Sequence, residues 1–182
     1  MIYHSPEPEI WVPDVPLVDH VLARAREFGD KVALVDAMSS ERLTYRELVE
    51  GVEAASGALA RLGVRPGQVV AVMSHNQPRY PVAVHAALAA GAAVTPVNPV
   101  LTAGELIKQL AGSQARALIT SEEAAAKAAE AADAAGIELR FVLGEAEGFR
   151  SFSELTGSGA ARPRVTVDPT TAIAALPFSS GD

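Results

Sequence analysis

Pro66-Gly67-Gln68-Val69-Val70-Ala71-Val72-Met73-Ser74-His75-Asn76-Gln77-Pro78 is the stretch on which the fold turns. Five apolar residues run from Val69 to Met73 without alternating with polar ones, after a Pro-Gly turn and before a Ser/His/Asn/Gln loop. A half-buried strand would alternate, so this pattern belongs to a strand covered on both faces. Three further short apolar runs follow at similar intervals: Ala93-Val94-Thr95-Pro96-Val97, Ala115-Arg116-Ala117-Leu118-Ile119 and Leu139-Arg140-Phe141-Val142-Leu143. Helical periodicity fills the gaps between them. Strand and helix in alternation predict an α/β fold with a mainly parallel sheet and helices on both faces.

The helices announce their starts. In Leu43-Thr44-Tyr45-Arg46-Glu47-Leu48 the threonine hydroxyl can accept from the Glu47 amide while the Glu47 carboxylate reaches back to the Thr44 amide. Leu101-Thr102-Ala103-Gly104-Glu105-Leu106 repeats this box at the same offsets, and Thr120-Ser121-Glu122-Glu123 repeats it more weakly. After the first box, Leu48, Val52, Ala55, Leu59 and Leu62 step by four and three along one stripe, closed by Gly63. After the second, Leu106, Ile107 and Leu110 lead to an end near Gly112. The segment Ala124 to Ala135 is alanine-rich, and alanine is the best helix former, so it is predicted helical with a Glu123–Lys127 pair at i,i+4. A further helix is expected between Tyr80 and Ala90, with Asn76 as its N-cap and its first turn at Pro81 rather than Pro78.

Upstream, residues 1–16 are proline-rich and predicted to lie extended along a surface, with a single α/β domain over 17–182. Residues 17–28 read as one amphipathic helix ended by Gly29, followed by a strand at 31–36 and an antiparallel return at Arg42-Leu43-Thr44. Residues 144–168 read as loop and linker around a short turn at Phe152-Ser153-Glu154-Leu155. The last apolar run, Ala172-Ile173-Ala174-Ala175-Leu176-Pro177-Phe178, is expected to be a buried strand entering Ser179-Ser180-Gly181-Asp182. Small residues and hydroxyls after a buried strand suit a backbone-rich anion site, making Ser179, Ser180 and Gly181 the candidate phosphate-binding residues.

Composition excludes several classes. A chain of 182 residues, 49% hydrophobic with only 5% aromatic residues, can bury one aliphatic and alanine-rich core. A net charge of −7 with no basic block argues against nucleic acid as a partner. Without cysteine there is no disulfide, thiolate metal site or cysteine nucleophile. The N-terminus lacks a basic region and an apolar core, and no apolar stretch reaches the ~20 residues that span a bilayer, so a cytoplasmic protein with no membrane span is expected. The four histidines have no metal spacing: His85 reads as a packed or surface residue, and His75 follows a strand end, a position where open α/β sheets place ligands. Gly157-Ser158-Gly159 has no third glycine, and neither a nucleophile elbow nor a Walker loop is present. By residue chemistry, no catalytic residue and no metal site are expected in this chain.

One resemblance gathers these pieces. Leu43-Thr44-Tyr45-x-Glu47-Leu48, Gly63-Val64-x-x-Gly67-x-x-Val70-Ala71, Asn76-x-Pro78, Ala86-x-x-x-Ala90-Gly91-Ala92, Pro96-Val97-Asn98-Pro99 and Pro177-Phe178-Ser179-Ser180-Gly181 occur in an order and spacing that closely resemble the N-terminal part of the adenylate-forming superfamily. Within it the chain is most similar to the 4-coumarate–CoA ligase and fatty-acid–CoA ligase branch. The resemblance implies a parent that uses ATP, Mg and CoA with a small-molecule carboxylic acid. The acid attacks the α-phosphate of Mg-ATP to give an acyl adenylate and pyrophosphate, and CoA then displaces AMP. It also implies that Ser179-Ser180-Gly181 opens a phosphate loop that continues with threonines and glycine in the family. Asp182 stands where threonine is usual, and its carboxylate would repel phosphate. The acid, adenine, Mg and ribose sites and the catalytic lysine lie beyond this stretch in the family. The chain alone is therefore expected to be inactive and to hold no bound cofactor. Self-association through exposed apolar surface is a further expectation. The alternative is a non-catalytic binding or regulatory module with the same fold.

Overall fold

A computed structural model of the chain describes residues 6–8 and 10–179. The elements in order are α1 (Leu17–Leu22), α2 (Ala25–Phe28), β1 (Val32–Val35), β2 (Arg42–Thr44), α3 (Tyr45–Arg61), β3 (Val69–Met73), α4 (Arg79–Ala89), β4 (Ala93–Val97), α5 (Ala103–Ser113), β5 (Ala115–Ser121), a 3₁₀ turn (Glu122–Ala124), α6 (Ala125–Ala134), β6 (Leu139–Leu143), β7 (Arg150–Ser151) and α7 (Ser153–Thr156). β3 to β7 form one five-stranded parallel sheet in the order β4-β3-β5-β6-β7, and β1 and β2 pair antiparallel as a separate hairpin.

Strands β3 and β5 each feed two cores. Val70 and Val72 of β3, Ala117 and Ile119 of β5, and Phe141 of β6 face a cluster shared with α3, α4 and α7. Ala71 and Met73 of β3 and Leu118 of β5 face the opposite cluster, with Leu106 and Leu110 of α5 and Ala128, Ala131 and Ala132 of α6. All five residues of β3 are buried, as a strand between two helix layers must be. α6 is an ordinary helix with a buried alanine face, and the small side chains let it approach the sheet closely.

Both full capping boxes form. The Glu47 amide donates to Thr44 Oγ1 at 3.2 Å and the Thr44 amide donates to Glu47 Oε2 at 2.8 Å. The second box has the same geometry, with 3.3 Å from the Glu105 amide to Thr102 Oγ1 and 2.8 Å from the Thr102 amide to Glu105 Oε2. The Thr44 main-chain amide, then its hydroxyl, holds the Glu47 carboxyl below its ordinary value. For Glu105 the Thr102 hydroxyl contributes most, followed by the amide. A carboxyl lowered in the folded state contributes stability above its unfolded value and loses it as pH falls through the lowered one. Thr44→Ala is thus expected to cost about 1 kcal/mol in urea unfolding at neutral pH. That difference should shrink as the pH is taken down through the Glu47 titration; a pH-independent deficit would show that the carboxylate has no part in it.

The third box does not form. Thr120 and Ser121 belong to β5, and the helix starts from a 3₁₀ turn with no side-chain cap. The sheet claims the residues that the local pattern offers as a cap. Lys127 does not pair with Glu123 either: its ammonium donates to the Pro99 carbonyl at 2.6 Å and to the Leu101 carbonyl. It thereby ties α6 to the connection after β4, because two fixed carbonyls on a neighbouring segment outcompete an exposed carboxylate.

The expected helix over 17–28 breaks at Ala23 and Arg24 into α1 and α2. The break lets α1 pack on α4 and α2 on α3, two targets that a straight helix could not both reach. Gly29 ends the pair, as expected. α4 begins at Arg79 with Pro78 as N-cap, not at Pro81, and exposed Asn76 does not cap it. Pro81 sits in the first turn, where a missing amide hydrogen removes no helical bond. β7 is an addition within the stretch read as loop; its pairing with Phe141 and Val142 comes from a distant partner that no local signal records.

Candidate functional site

The stretch ahead of the candidate phosphate loop is held at the outer side of β4, and one proline governs how. Residues 172–178 form not a strand but a single parallel bridge, Val94 to Ala175. The Val94 amide donates to the Ala174 carbonyl at 2.9 Å, and the Leu176 amide donates to the Val94 carbonyl at 2.8 Å. The next rung needs an amide hydrogen from Pro96, which has none, so the ladder stops. The Thr95 hydroxyl supplies the missing donor, reaching the Leu176 carbonyl at 2.9 Å. Buried Gln109 of α5 secures that hydroxyl, its Nε2 donating to Thr95 Oγ1 and to the Pro96 carbonyl, both at 3.0 Å.

This arrangement corrects the expectation of a buried strand at 172–178. Ile173 and Phe178 are exposed, and Phe178 lies over Gly112 of α5. Ser179 follows, exposed, with no hydrogen bond among the described residues. Ser180 and Gly181 lie outside the described residues. Thr95 and Gln109 are the positioning residues that sequence reading missed. Their signal was present: a threonine followed by proline in an otherwise apolar strand is a side chain placed to replace a main-chain donor.

A second place of interest is the carboxyl end of the sheet between β3 and β5. β3 leads to α4 on one face, β5 leads to α6 on the other, and such divergence opens a crevice at the strand ends. His75 sits there, exposed, after Ser74. The Ser74 hydroxyl donates to the His75 carbonyl at 2.7 Å and accepts from Gln77 Nε2 at 2.8 Å, a local turn that satisfies its own polar atoms. His85 is internal to α4, with Nδ1 2.7 Å from the Pro81 carbonyl; a carbonyl only accepts, so Nδ1 carries the proton.

No group of three or more His, Cys, Asp or Glu side chains able to hold a metal comes together among the described residues. One exposed serine cannot by itself cradle a triphosphate, so the described residues do not fit Mg-ATP. No helix among them is long and apolar enough to cross a membrane.

A two-faced parallel sheet with helices on both sides is shared by many unrelated enzymes, and comparison with known proteins distinguishes among them. The family model described as "AMP-binding enzyme" matches residues 21–181, and the chain belongs to that family. It is 32% identical over 182 residues to 4-coumarate–CoA ligase 5 of Oryza sativa subsp. japonica, covering 99% of this chain and 33% of the rice protein. The solved long-chain-fatty-acid–CoA ligase of Archaeoglobus fulgidus superposes with a TM-score of 0.87 at 27% identity, over 99% of this chain and 37% of that one. A benzoate–CoA ligase from Burkholderia xenovorans LB400 superposes at 0.73 with 27% identity, over 81% of this chain and 29% of the other. The chain thus spans about a third of the length of the curated relatives it matches.

Proposed function

We propose that this chain is the N-terminal scaffold of a cytoplasmic, ATP- and Mg-dependent carboxylic acid–CoA ligase. The parent reaction converts acid and ATP to an acyl adenylate and pyrophosphate, then transfers the acyl group to CoA. The observation that carries this reading is the continuous likeness to acid–CoA ligases across 99% of the chain. In this scheme residues 1–16 are an extended lead, residues 17–182 are one α/β unit, and Ser179, Ser180 and Gly181 open the phosphate loop. The contribution of this chain's own residues is positional. Val94 and Thr95 fix the line of residues 174–176, Gln109 locks Thr95, and Lys127 fixes the connection after β4. Together they set the direction from which the loop departs.

The scaffold alone lacks the groups that bind acid, adenine and metal, so it does not adenylate. In an acid-dependent ATP–pyrophosphate exchange assay with Mg, the 182-residue chain is expected to give no exchange above background with aromatic or fatty acids. Acid-dependent exchange by the purified chain would contradict the assignment of the chemistry to residues outside it.

A further inference from the structure

Past Leu176 the main chain loses its hydrogen bonds. The Leu176 carbonyl, which accepts from Thr95 Oγ1, is the last tie to the sheet edge. Pro177 has no amide hydrogen, and neither Phe178 nor Ser179 makes a hydrogen bond among the described residues. A packing contact therefore has to locate the approach to Ser179, and the ring of half-exposed Phe178 lying over Gly112 of α5 supplies one.

Gly112 lies in the last turn of α5 without a positive φ, so the backbone there does not call for glycine. Helix propensity disfavours it against alanine. A Cβ at this position would stand 3.5 Å from Phe178 Cε1 and 3.7 Å from Cζ, and beyond its own helix it would meet no other atom within 4 Å. A methyl group fits at such distances. A β-branched side chain, which is held to one rotamer in a helix, would have to share the space of the ring. Gln109, three residues earlier on the same helix face, already secures Thr95. Helix α5 thus grips the approach at two successive points, Leu176 through Thr95 and Phe178 through Gly112. We propose that Gly112 is a positioning residue for ATP: its bare surface seats the Phe178 ring, and the seated ring sets where Ser179 begins the phosphate loop. This rests on the proposed reading of Ser179, Ser180 and Gly181 as the opening of that loop. It adds that the size of the side chain at position 112 controls the nucleotide step.

The test uses the natural full polypeptide in acid-dependent ATP–pyrophosphate exchange, with ATP varied and the aromatic or fatty acid that supports exchange by the unsubstituted protein. Gly112→Ala is expected to leave KM for ATP unchanged, and Gly112→Ile to raise it about tenfold. KM for CoA in the overall reaction should stay as it was, and the unfolding midpoint should not fall. Phe178→Ala should also raise KM for ATP, and adding Gly112→Ile to it should cost nothing further, because both changes act through one contact. A KM for ATP within about twofold of the unsubstituted value in Gly112→Ile would overturn the inference and leave the scaffold reading intact. Additive effects of the two substitutions would overturn it as well, by separating Gly112 from the ring. A lowered midpoint with equal losses toward ATP and CoA would make Gly112 a merely structural residue, and the inference would fall. No exchange by the unsubstituted full polypeptide with any acid would remove the ligase reading itself, and this inference with it.

Discussion

Phe141→Ala is expected to destabilise the chain by about 3–5 kcal/mol, a large part of what holds a domain of this size together. Phe141 is fully buried in the larger core. It pairs with Ile119 across β5 and with Arg150 across β7, whose guanidinium lies 5.4 Å from the ring centroid. Aromatic residues are only 5% of the chain, so few side chains could collapse into the space an alanine would leave. The cost should appear as a lowered urea midpoint with an unchanged slope, and Phe141→Leu should recover most of it. A loss below about 1 kcal/mol would mean that the ring is not the core anchor described here.

Gly57→Ala is expected to destabilise despite placing a better helix former in the middle of α3. Helix propensity alone would favour alanine by about 1 kcal/mol. A Cβ at Gly57 would, however, stand 2.2 Å from the Ala161 carbonyl oxygen and 2.8 Å from the Ala160 Cβ. The obstacle is main chain, so no rotamer change relieves it. The crossing segment is pinned beside it by Ser158 Oγ donating to the Ala54 carbonyl at 3.2 Å and by the Arg162–Asp19 ion pair at 2.7 Å. Overpacking of this kind costs about 1–3 kcal/mol, and the net change should be a loss, larger still for Gly57→Val. Faster proteolysis near residues 158–162 should accompany it. A stabilised Gly57→Ala protein would show that the segment does not press on α3.

How much of this was legible in the sequence follows from which contacts are local. The runs at Val69, Ala93, Ala115 and Leu139 declare buried strands because two-sided burial removes polar positions. The boxes at Thr44 and Thr102 declare helix starts because both partners lie within four residues. The features that were not legible depend on remote partners. Ser121 becomes strand because it pairs with Leu143 of β6, Lys127 turns to carbonyls on another segment, and the lead helix breaks to meet two helices. The edge at residues 172–178 is the clearest case. Its apolar letters spell a strand, yet the missing donor at Pro96, some eighty residues earlier, limits it to one bridge. The candidate site divides in the same way: the loop letters were visible, while Thr95 and Gln109, which position the approach to the loop, emerge only when β4, α5 and the edge segment are seen together.

On the proposed reading, this chain is the scaffold third of an acid–CoA ligase rather than a module complete in itself. An antibody raised against the 182-residue chain, used to size the native polypeptide in its own cells, tests that most directly. The account predicts a polypeptide about three times as long, carrying this stretch at its N-terminal end. A native protein of 182 residues and nothing longer would contradict it.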